Sequence, residues 1–140
     1  MIDSKDRRIA VYGLAVEDGA ILLARIARSE PAAGMFTLPG GGMEWGEAPR
    51  ETLEREFREE TGLVPVIHHP VLVRSRVRAA GEESDRPVHS MQVVFAVSAS
   101  GVPRSERSGS TDHAEWVSVE RLAEFPVVQL VTDALEGALP

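Results

Sequence analysis

Three glutamates between positions 56 and 60 are spaced so that they can act together. Glu56, Glu59 and Glu60 stand at i, i+3 and i+4, and at about 100° per residue they share one arc of roughly 100° on an α-helix. Carboxylates this close repel one another and destabilise a helix by roughly a few tenths of a kcal/mol per pair. A hard divalent cation such as Mg²⁺ or Mn²⁺ reverses that effect, because it prefers oxygen ligands. The spacing therefore predicts a metal site.

The segment that carries these glutamates has the signals of a single helix, predicted over 47–61. Pro49 is tolerated in a first turn, and Gly62 follows where a left-handed cap is common. Leu53 and Phe57 lie one turn apart and predict the stripe that faces the core. The helix must therefore bury one face and present the glutamates beside it.

Two of the glutamates, Glu56 and Glu60, border this apolar stripe. Carboxylates in that position are partly desolvated, which costs free energy unless a positive group meets them. Arg55 can pair with one of the three carboxylates but not with all of them. The alternative is a solvated helix face on which Arg50, Arg55 and Arg58 form surface ion pairs.

The whole string around the helix decides between these alternatives. The sequence reads Gly41, five residues, Glu47, seven residues, and then REFREETGL from Arg55 to Leu63. This string of 23 residues resembles the Nudix box, with every fixed position filled. A weaker resemblance extends over most of the chain, through Leu22–Arg25, Thr37–Gly40 and Trp116–Val117.

The resemblance implies a function and a set of site residues. Nudix proteins mostly hydrolyse a phosphoanhydride in a nucleoside diphosphate linked to another group, and they use Mg²⁺ or Mn²⁺. By the resemblance, Glu56, Glu59 and Glu60 would bind the metal, helped by the backbone around Gly40 and Gly41. Metal binding lowers the pKa of a bound water, so that hydroxide can attack phosphorus.

The resemblance also suggests supporting roles for neighbouring residues. Arg55 and Glu47 would orient and brace the metal-binding glutamates, which places Arg55 with Glu56 among the catalytic residues. Glu59 is our first choice of general base. Asp112 and Glu115 lie where some Nudix enzymes carry an additional acidic residue, with ordinary loop charge as the alternative.

Composition limits the class of protein. The chain has 140 residues, 43% of them hydrophobic, which fits one domain over 1–140 with a real core. It has 15 Lys+Arg against 22 Asp+Glu, a net charge of −7, which argues against long nucleic acids as partners. Zero cysteines suit a reducing compartment. With no signal-type segment and no apolar run of membrane length, we expect a cytoplasmic protein that does not enter a membrane.

Hydrophobic patterning predicts alternating strands and helices. Asp18-Gly19 is a hairpin turn signal between the first two strands. A brief helix is predicted over 119–124, and a final helix is predicted to begin at Pro126. The pattern favours an α/β sandwich, consistent with the Nudix fold of a mixed β-sheet between α-helices. Strands are predicted over 7–17, 20–27, 35–38, 64–79, 87–99 and 114–117.

Four arginines and a tryptophan outside the fixed positions are candidates for substrate binding. Arg25 ends a strand that leads toward the glycine loop, so we expect it to contact a phosphate. Arg74, Arg76 and Arg78 alternate along one strand face and could bind phosphate, contact a partner subunit in a homodimer, or remain solvated. Trp45 either lines the substrate pocket or packs its loop against the core.

The substrate is narrowed only by elimination. In many ADP-ribose hydrolases a proline, and in dinucleoside-polyphosphate hydrolases a tyrosine, follows the box at a distance where this chain has Arg78 and Ala79. A small nucleotide, such as a (deoxy)nucleoside triphosphate or a modified nucleotide, is therefore expected. ADP-ribose and nucleotide sugars stay open, as does a non-catalytic Nudix-like nucleotide-binding or regulatory domain. A third alternative is a diphosphate-using enzyme of another reaction type, such as an isomerase, or an RNA 5′-end hydrolase.

Overall fold

A computed structural model of the chain describes residues 6–81, 85–104 and 109–138. Within these ranges seven strands, two α-helices and one 3₁₀ helix follow one another, and no helix among them is long and apolar enough to cross a membrane. The elements are β1 (Asp6–Glu17), β2 (Ala20–Ile26), β3 (Phe36–Thr37), β4 (Gly40–Gly42), α1 (Pro49–Thr61), β5 (Val66–Arg78), β6 (Val88–Ser98), β7 (Thr111–Ser118), the 3₁₀ helix (Val119–Glu124) and α2 (Gln129–Ala138).

The strands form one mixed sheet organised around β1. The order is β3-β2-β1-β6-β5, with β4 paired to β1 and β7 paired to β2. The β1–β6 pair is parallel, while β1–β2, β1–β4 and β5–β6 are antiparallel. Because β1 has 12 residues, it can pair with β6 along most of its length, with β4 at Ala10 to Tyr12, and with β2 at its end.

The turn between β1 and β2 is the hairpin that the sequence predicts. Asp18 has φ 49° and Gly19 has φ 77°, so both central residues are left-handed, as a two-residue turn that matches the strand twist requires. Glu17 pairs directly with Ala20 across this turn. The Asp-Gly prediction is confirmed.

Alternate residues of the sheet face two helices on opposite sides. Val11 packs in one apolar cluster with Leu53 and Phe57 of α1, whereas Leu14 packs in a second cluster with Val131 of α2. All but Leu14, which is 5% exposed, are fully buried, and each contributes on the order of 1.5–3 kcal/mol through burial. The predicted α/β sandwich and the core stripe of the helix are confirmed.

Helix α1 differs slightly from its predicted bounds. It runs from Pro49 to Thr61, so Glu47 lies in the preceding loop and not in the first turn. Gly62 ends the helix with φ 72°, and its N–H donates to the carbonyl of Arg58. The left-handed cap is therefore where the sequence predicts it.

Two further elements differ from expectation. The glycine loop contains a strand, because Gly40–Gly42 pairs with Ala10 to Tyr12 of β1. The last helix begins at Gln129 and not at Pro126, because the Pro126 carbonyl accepts a 2.7 Å hydrogen bond from the N–H of Phe36. Tertiary pairing thus delays the helix start by three residues.

Candidate active site

Strand β4 lies directly against the glutamates of α1. The backbone N–H of Gly40 donates a 2.8 Å hydrogen bond to Oε2 of the buried Glu60. A Cβ placed on Gly41 would come within 2.7 Å of the carboxylate carbon of Glu56. Glycine at 41 therefore leaves the space in which the Glu56 carboxylate sits.

Arg55 connects the glutamates of the box. Its Nε and Nη2 donate to the two carboxylate oxygens of Glu47, at 2.8 and 2.9 Å. Its Nη1 donates to Oε1 of Glu56 at 2.9 Å and lies 3.7 Å from Glu59. Glu47 is held further by the hydroxyl of Thr52 at 2.9 Å. Arg55 and Glu47 thus form a bidentate ion pair, and the same guanidinium contacts Glu56.

These surroundings shift the acidities in opposite directions. Hydrogen bonds from Arg55 lower the pKa of Glu47 to about 2, and the same contact raises the pKa of Arg55. Burial raises the pKa of Glu56, and it raises the pKa of Glu60 well above the ordinary value of 4.5. The carboxylate of Glu47 is therefore stabilised in its charged form, while Glu56 and Glu60 are costly to ionise without a further cation.

The predicted metal-binding side chains do not converge in this structure. Among the described residues, no three His, Cys, Asp or Glu side chains are gathered closely enough to hold a metal ion. Glu56 is turned to Arg55 and Glu60 to the N–H of Gly40. The helix places the three glutamates on one face as predicted, but their carboxylates have separate partners.

A cavity of about 270 Å³ opens beside Glu60. Arg8 and Tyr12 enter it from β1 and Thr37 from β3, and the backbone of β4 forms one wall. Nothing in the local sequence pattern singled out Arg8 or Tyr12, because they reach the cavity only through the pairing of β1 with β4. The cavity is of a size to admit part of a small molecule next to Glu60.

Several candidates from the sequence lie elsewhere. Arg25, expected at the phosphates, is not among the residues that line this cavity. Its Nε donates to Asp112 at 2.7 Å. Glu115 pairs with His113 at 2.6 Å. Trp45 is fully exposed and does not pack its loop against the core. The structure therefore brings neither Arg25 nor the two additional acidic residues to the wall of this cavity.

The arginine stripe of β5 is not simply solvated. Arg74, Arg76 and Arg78 line a second cavity of about 130 Å³, which shares Arg8 and Tyr12 with the first. Of the two rival phosphate positions weighed from the sequence, the stripe is the one that adjoins the cavity beside Glu60.

Residues 5–134 of the chain match the NUDIX domain. The nucleoside triphosphatase NudI of Salmonella newport is 30% identical over 140 residues, covering 95% of this chain and 99% of that protein. An ADP-ribose pyrophosphatase of Methanocaldococcus jannaschii is 36% identical over 93 residues, covering 66% of this chain. That second match spans only 52% of the archaeal protein.

Solved structures agree in fold over nearly all of the chain. A MutT NUDIX hydrolase from Burkholderia pseudomallei has a TM-score of 0.80 and 29% identity, covering 96% of this chain and 99% of that one. The E. coli ORF135 protein has a TM-score of 0.70 and 27% identity, covering 96% of this chain and 89% of that one. By its sequence, its box and its fold, the chain belongs to the Nudix family.

Proposed function

We propose that this protein uses Mg²⁺ or Mn²⁺ to hydrolyse a phosphoanhydride bond in a nucleoside diphosphate-linked small molecule. Its membership of the Nudix family, with relatives named as a pyrophosphatase and a triphosphatase, makes it a hydrolase. The observation that carries the proposal is the position of Glu56 and Glu60 on α1 against β4, beside a cavity open to solvent.

The donor set fits a hard divalent cation. Glu60 is buried and has one hydrogen-bond donor, the N–H of Gly40, and no ion pair with any described residue. Glu56 has one guanidinium partner, and the charge of Glu59 opposes the ionisation of both. A cation would neutralise this excess of negative charge, and oxygen-only ligands are those that Mg²⁺ and Mn²⁺ prefer. We therefore assign metal binding to these three glutamates and the Gly41 backbone.

The remaining roles follow from exposure and charge. A bound divalent cation supplies charge neutralisation of the phosphates and a water of lowered pKa. Glu59 is the most exposed of the three carboxylates, with 51% of its side chain accessible, so it can reach a water at the surface of the site and accept its proton. Arg55, held by Glu47, keeps Glu56 in place.

Two substrate classes have specific support. The relative that matches almost end to end is named a nucleoside triphosphatase, which favours a (deoxy)nucleoside triphosphate or a modified nucleotide. The archaeal relative is named an ADP-ribose pyrophosphatase, so ADP-ribose or a nucleotide sugar is the second candidate. The net charge of −7 disfavours long nucleic acids.

The setting of the activity is part of the proposal. We place residues 1–140 in one domain and the protein in the cytoplasm, a compartment that suits its lack of cysteine. A homodimer is supported by the exposed Val73 and Val77 on β5 and Met91 on β6. Sedimentation velocity of the wild-type protein and of a Val73→Lys variant tests the dimer.

A substrate panel tests the activity directly. Nucleoside triphosphates, ADP-ribose and nucleotide sugars are incubated with Mg²⁺ or Mn²⁺, and released phosphate, pyrophosphate and nucleoside monophosphate are measured. Turnover of at least one substrate, abolished by EDTA and restored by metal, is expected. Tight nucleotide binding without turnover would instead identify the non-catalytic alternative, although all box carboxylates are present.

A further inference from the structure

The two cavities form one groove on the α2 side of the sheet. The first, of about 270 Å³, borders Glu60, and the second, of about 130 Å³, borders the arginine stripe of β5. Because the two have lining residues in common, a ligand can lie across both. The shared residues are Arg8, Tyr12, Ile26, Pro31 and Thr37.

Strand register brings two arginines to opposite sides of a small polar residue. Ser90 of β6 pairs with Arg76 of β5 on one side and with Arg8 of β1 on the other. Neighbouring strands are about 4.8 Å apart, so the two arginine backbones are separated by about 10 Å. Ser90 is buried and short, and the arginines on either side of it both line the second cavity. Planar guanidinium groups match the oxygens of a phosphate.

The far end of the groove is positive in a protein that is negative overall. Four of the 15 Lys+Arg line the second cavity, and none of its described lining residues is acidic. Arg74 is partly neutralised by its ion pair with Asp133, and it also donates a hydrogen bond to the side-chain oxygen of Gln92. Arg76 and Arg78 also engage other groups of the protein, so a ligand has to compete for them. Clustered cations in a cleft still concentrate anions there.

The strand that carries the arginine stripe lies three strand positions away from β4. The row Gly42–Ala10–Gln92–Arg74 crosses from β4 to β5, and three strand spacings amount to about 14 Å. The groove between is lined by the ring of Tyr12, a surface that suits a sugar or base. Along the groove, the acidic Glu60 is thus followed by the ring of Tyr12 and then by the arginines of β5.

We propose that the arginine end of this groove binds a second phosphate of the substrate, separated from the scissile diphosphate by the nucleoside. The inference rests on the proposed function, which places the diphosphate at α1. It names the substrate class as nucleotides phosphorylated on the sugar as well as at the 5′ position. The alternative occupant of the arginine end is the terminal phosphate of a 5′-triphosphate chain.

Binding is measured by calorimetry with nucleoside 3′,5′-bisphosphates and 5′-monophosphates of all four bases, since the base preference is open. For at least one base the bisphosphate should bind about tenfold more tightly, as one charge-assisted contact provides. Arg76→Ala and Arg8→Ala should each reduce that advantage to less than about threefold. Arg121→Ala removes an exposed arginine paired with Glu124 outside the groove and should leave the advantage unchanged.

Other results overturn the inference. Equal affinity for bisphosphate and monophosphate with every base refutes it. A second refuting result comes from an Arg76→Ala variant that is folded by circular dichroism. If it binds a non-hydrolysable β,γ-imido triphosphate as much more weakly as it binds the bisphosphate, the arginines bind the triphosphate chain instead. Turnover in the substrate panel with no bisphosphate advantage refutes this inference alone. An Arg76-dependent advantage with no turnover supports it and refutes the proposed hydrolysis.

Discussion

The N–H of Gly40 donates a 2.8 Å hydrogen bond to Oε2 of Glu60, twenty residues later in the chain. This bond joins the first residue of β4 to the last turn of α1. It is only partial compensation for burying a carboxylate, because burial still holds the pKa of Glu60 well above 4.5. The pair therefore makes the stability of the protein sensitive to both pH and cations.

The first prediction concerns pH and metal together. Because the pKa of Glu60 is raised in the folded state, the folded protein retains a proton that the unfolded chain releases above pH 4.5. Through this group, the free energy of unfolding without metal should fall as pH rises above 4.5. A metal that binds the ionised carboxylate should then raise the melting temperature more at about pH 8 than at about pH 5. Melting curves with EDTA and with Mg²⁺ measure both effects.

Glu60→Gln is the matching variant for this prediction. It should lose most of the metal-induced shift and show a weaker pH dependence without metal. If wild type and variant respond to pH and Mg²⁺ in parallel, Glu60 is not the linked group.

The second prediction is kinetic. Glu59→Gln and Glu60→Gln should each lower kcat by about a hundredfold or more, the scale of losing a metal ligand or a general base. Glu54→Gln is the control, since Glu54 is exposed on the same helix and pairs with Arg58. The kcat of each variant is measured by steady-state kinetics at saturating Mg²⁺. Near-wild-type turnover by Glu59→Gln or Glu60→Gln would show that the role assigned to that residue is wrong.

The third prediction separates bracing from surface charge. Glu47→Gln breaks the bidentate contact with Arg55 and should lower kcat by roughly ten- to a hundredfold. Glu44→Gln, whose carboxylate is exposed and 4.0 Å from Arg55, should change kcat less than about twofold. Similar losses in both variants would show that general charge matters and not the contact.

The Glu47→Gln variant should also differ from wild type in its stability at acidic pH. The pKa of Glu47 is lowered to about 2, so its contribution to stability is present above pH 4.5 and is lost as pH falls from 4.5 to about 2. Glu47→Gln should therefore lose less stability than wild type across this interval, as measured by urea titrations at successive pH values.

The sequence predicted the helix and its glutamates well because their arrangement is local. The spacing of Leu53, Phe57 and Glu60 is set by the helical repeat, and the structure buries all three. Strand β4 was missed because Gly40–Gly42 has no strand propensity of its own and pairs only because β1 lies beside it. Arg8 was missed for a similar reason, since its neighbours in the groove come from strands tens of residues away.

The fourth prediction uses the close approach of β4 to α1. A methyl group on Gly41 would lie 2.7 Å from the Glu56 carboxylate carbon, so Gly41→Ala must displace that side chain. We expect kcat to fall at least about tenfold with the fold retained. Gly109→Ala, where no neighbour lies within 4 Å, should be silent. Parallel measurement of melting temperature shows whether lost activity follows from unfolding.

The last prediction compares two arginines that the sequence and the structure rank differently. The strand leading to the glycine loop favoured Arg25 as the phosphate contact, yet Arg25 donates to Asp112 and lines neither cavity of the groove. Arg8 lines both, and its positive charge favours the ionised form of Glu56. Arg8→Ala should therefore lower kcat/KM at least about tenfold, the scale of one charged contact. Arg25→Ala should cost less than about threefold, because a partly exposed ion pair contributes little.

Melting temperatures must accompany both variants, because the arginine stem also packs. Asp112→Asn tests the pairing separately and should match Arg25→Ala in both activity and stability. If Arg25→Ala is folded but has little activity, while Arg8→Ala stays active, the substrate binds nearer β7 than the groove. Arg25 would then be the phosphate contact, as the sequence favoured.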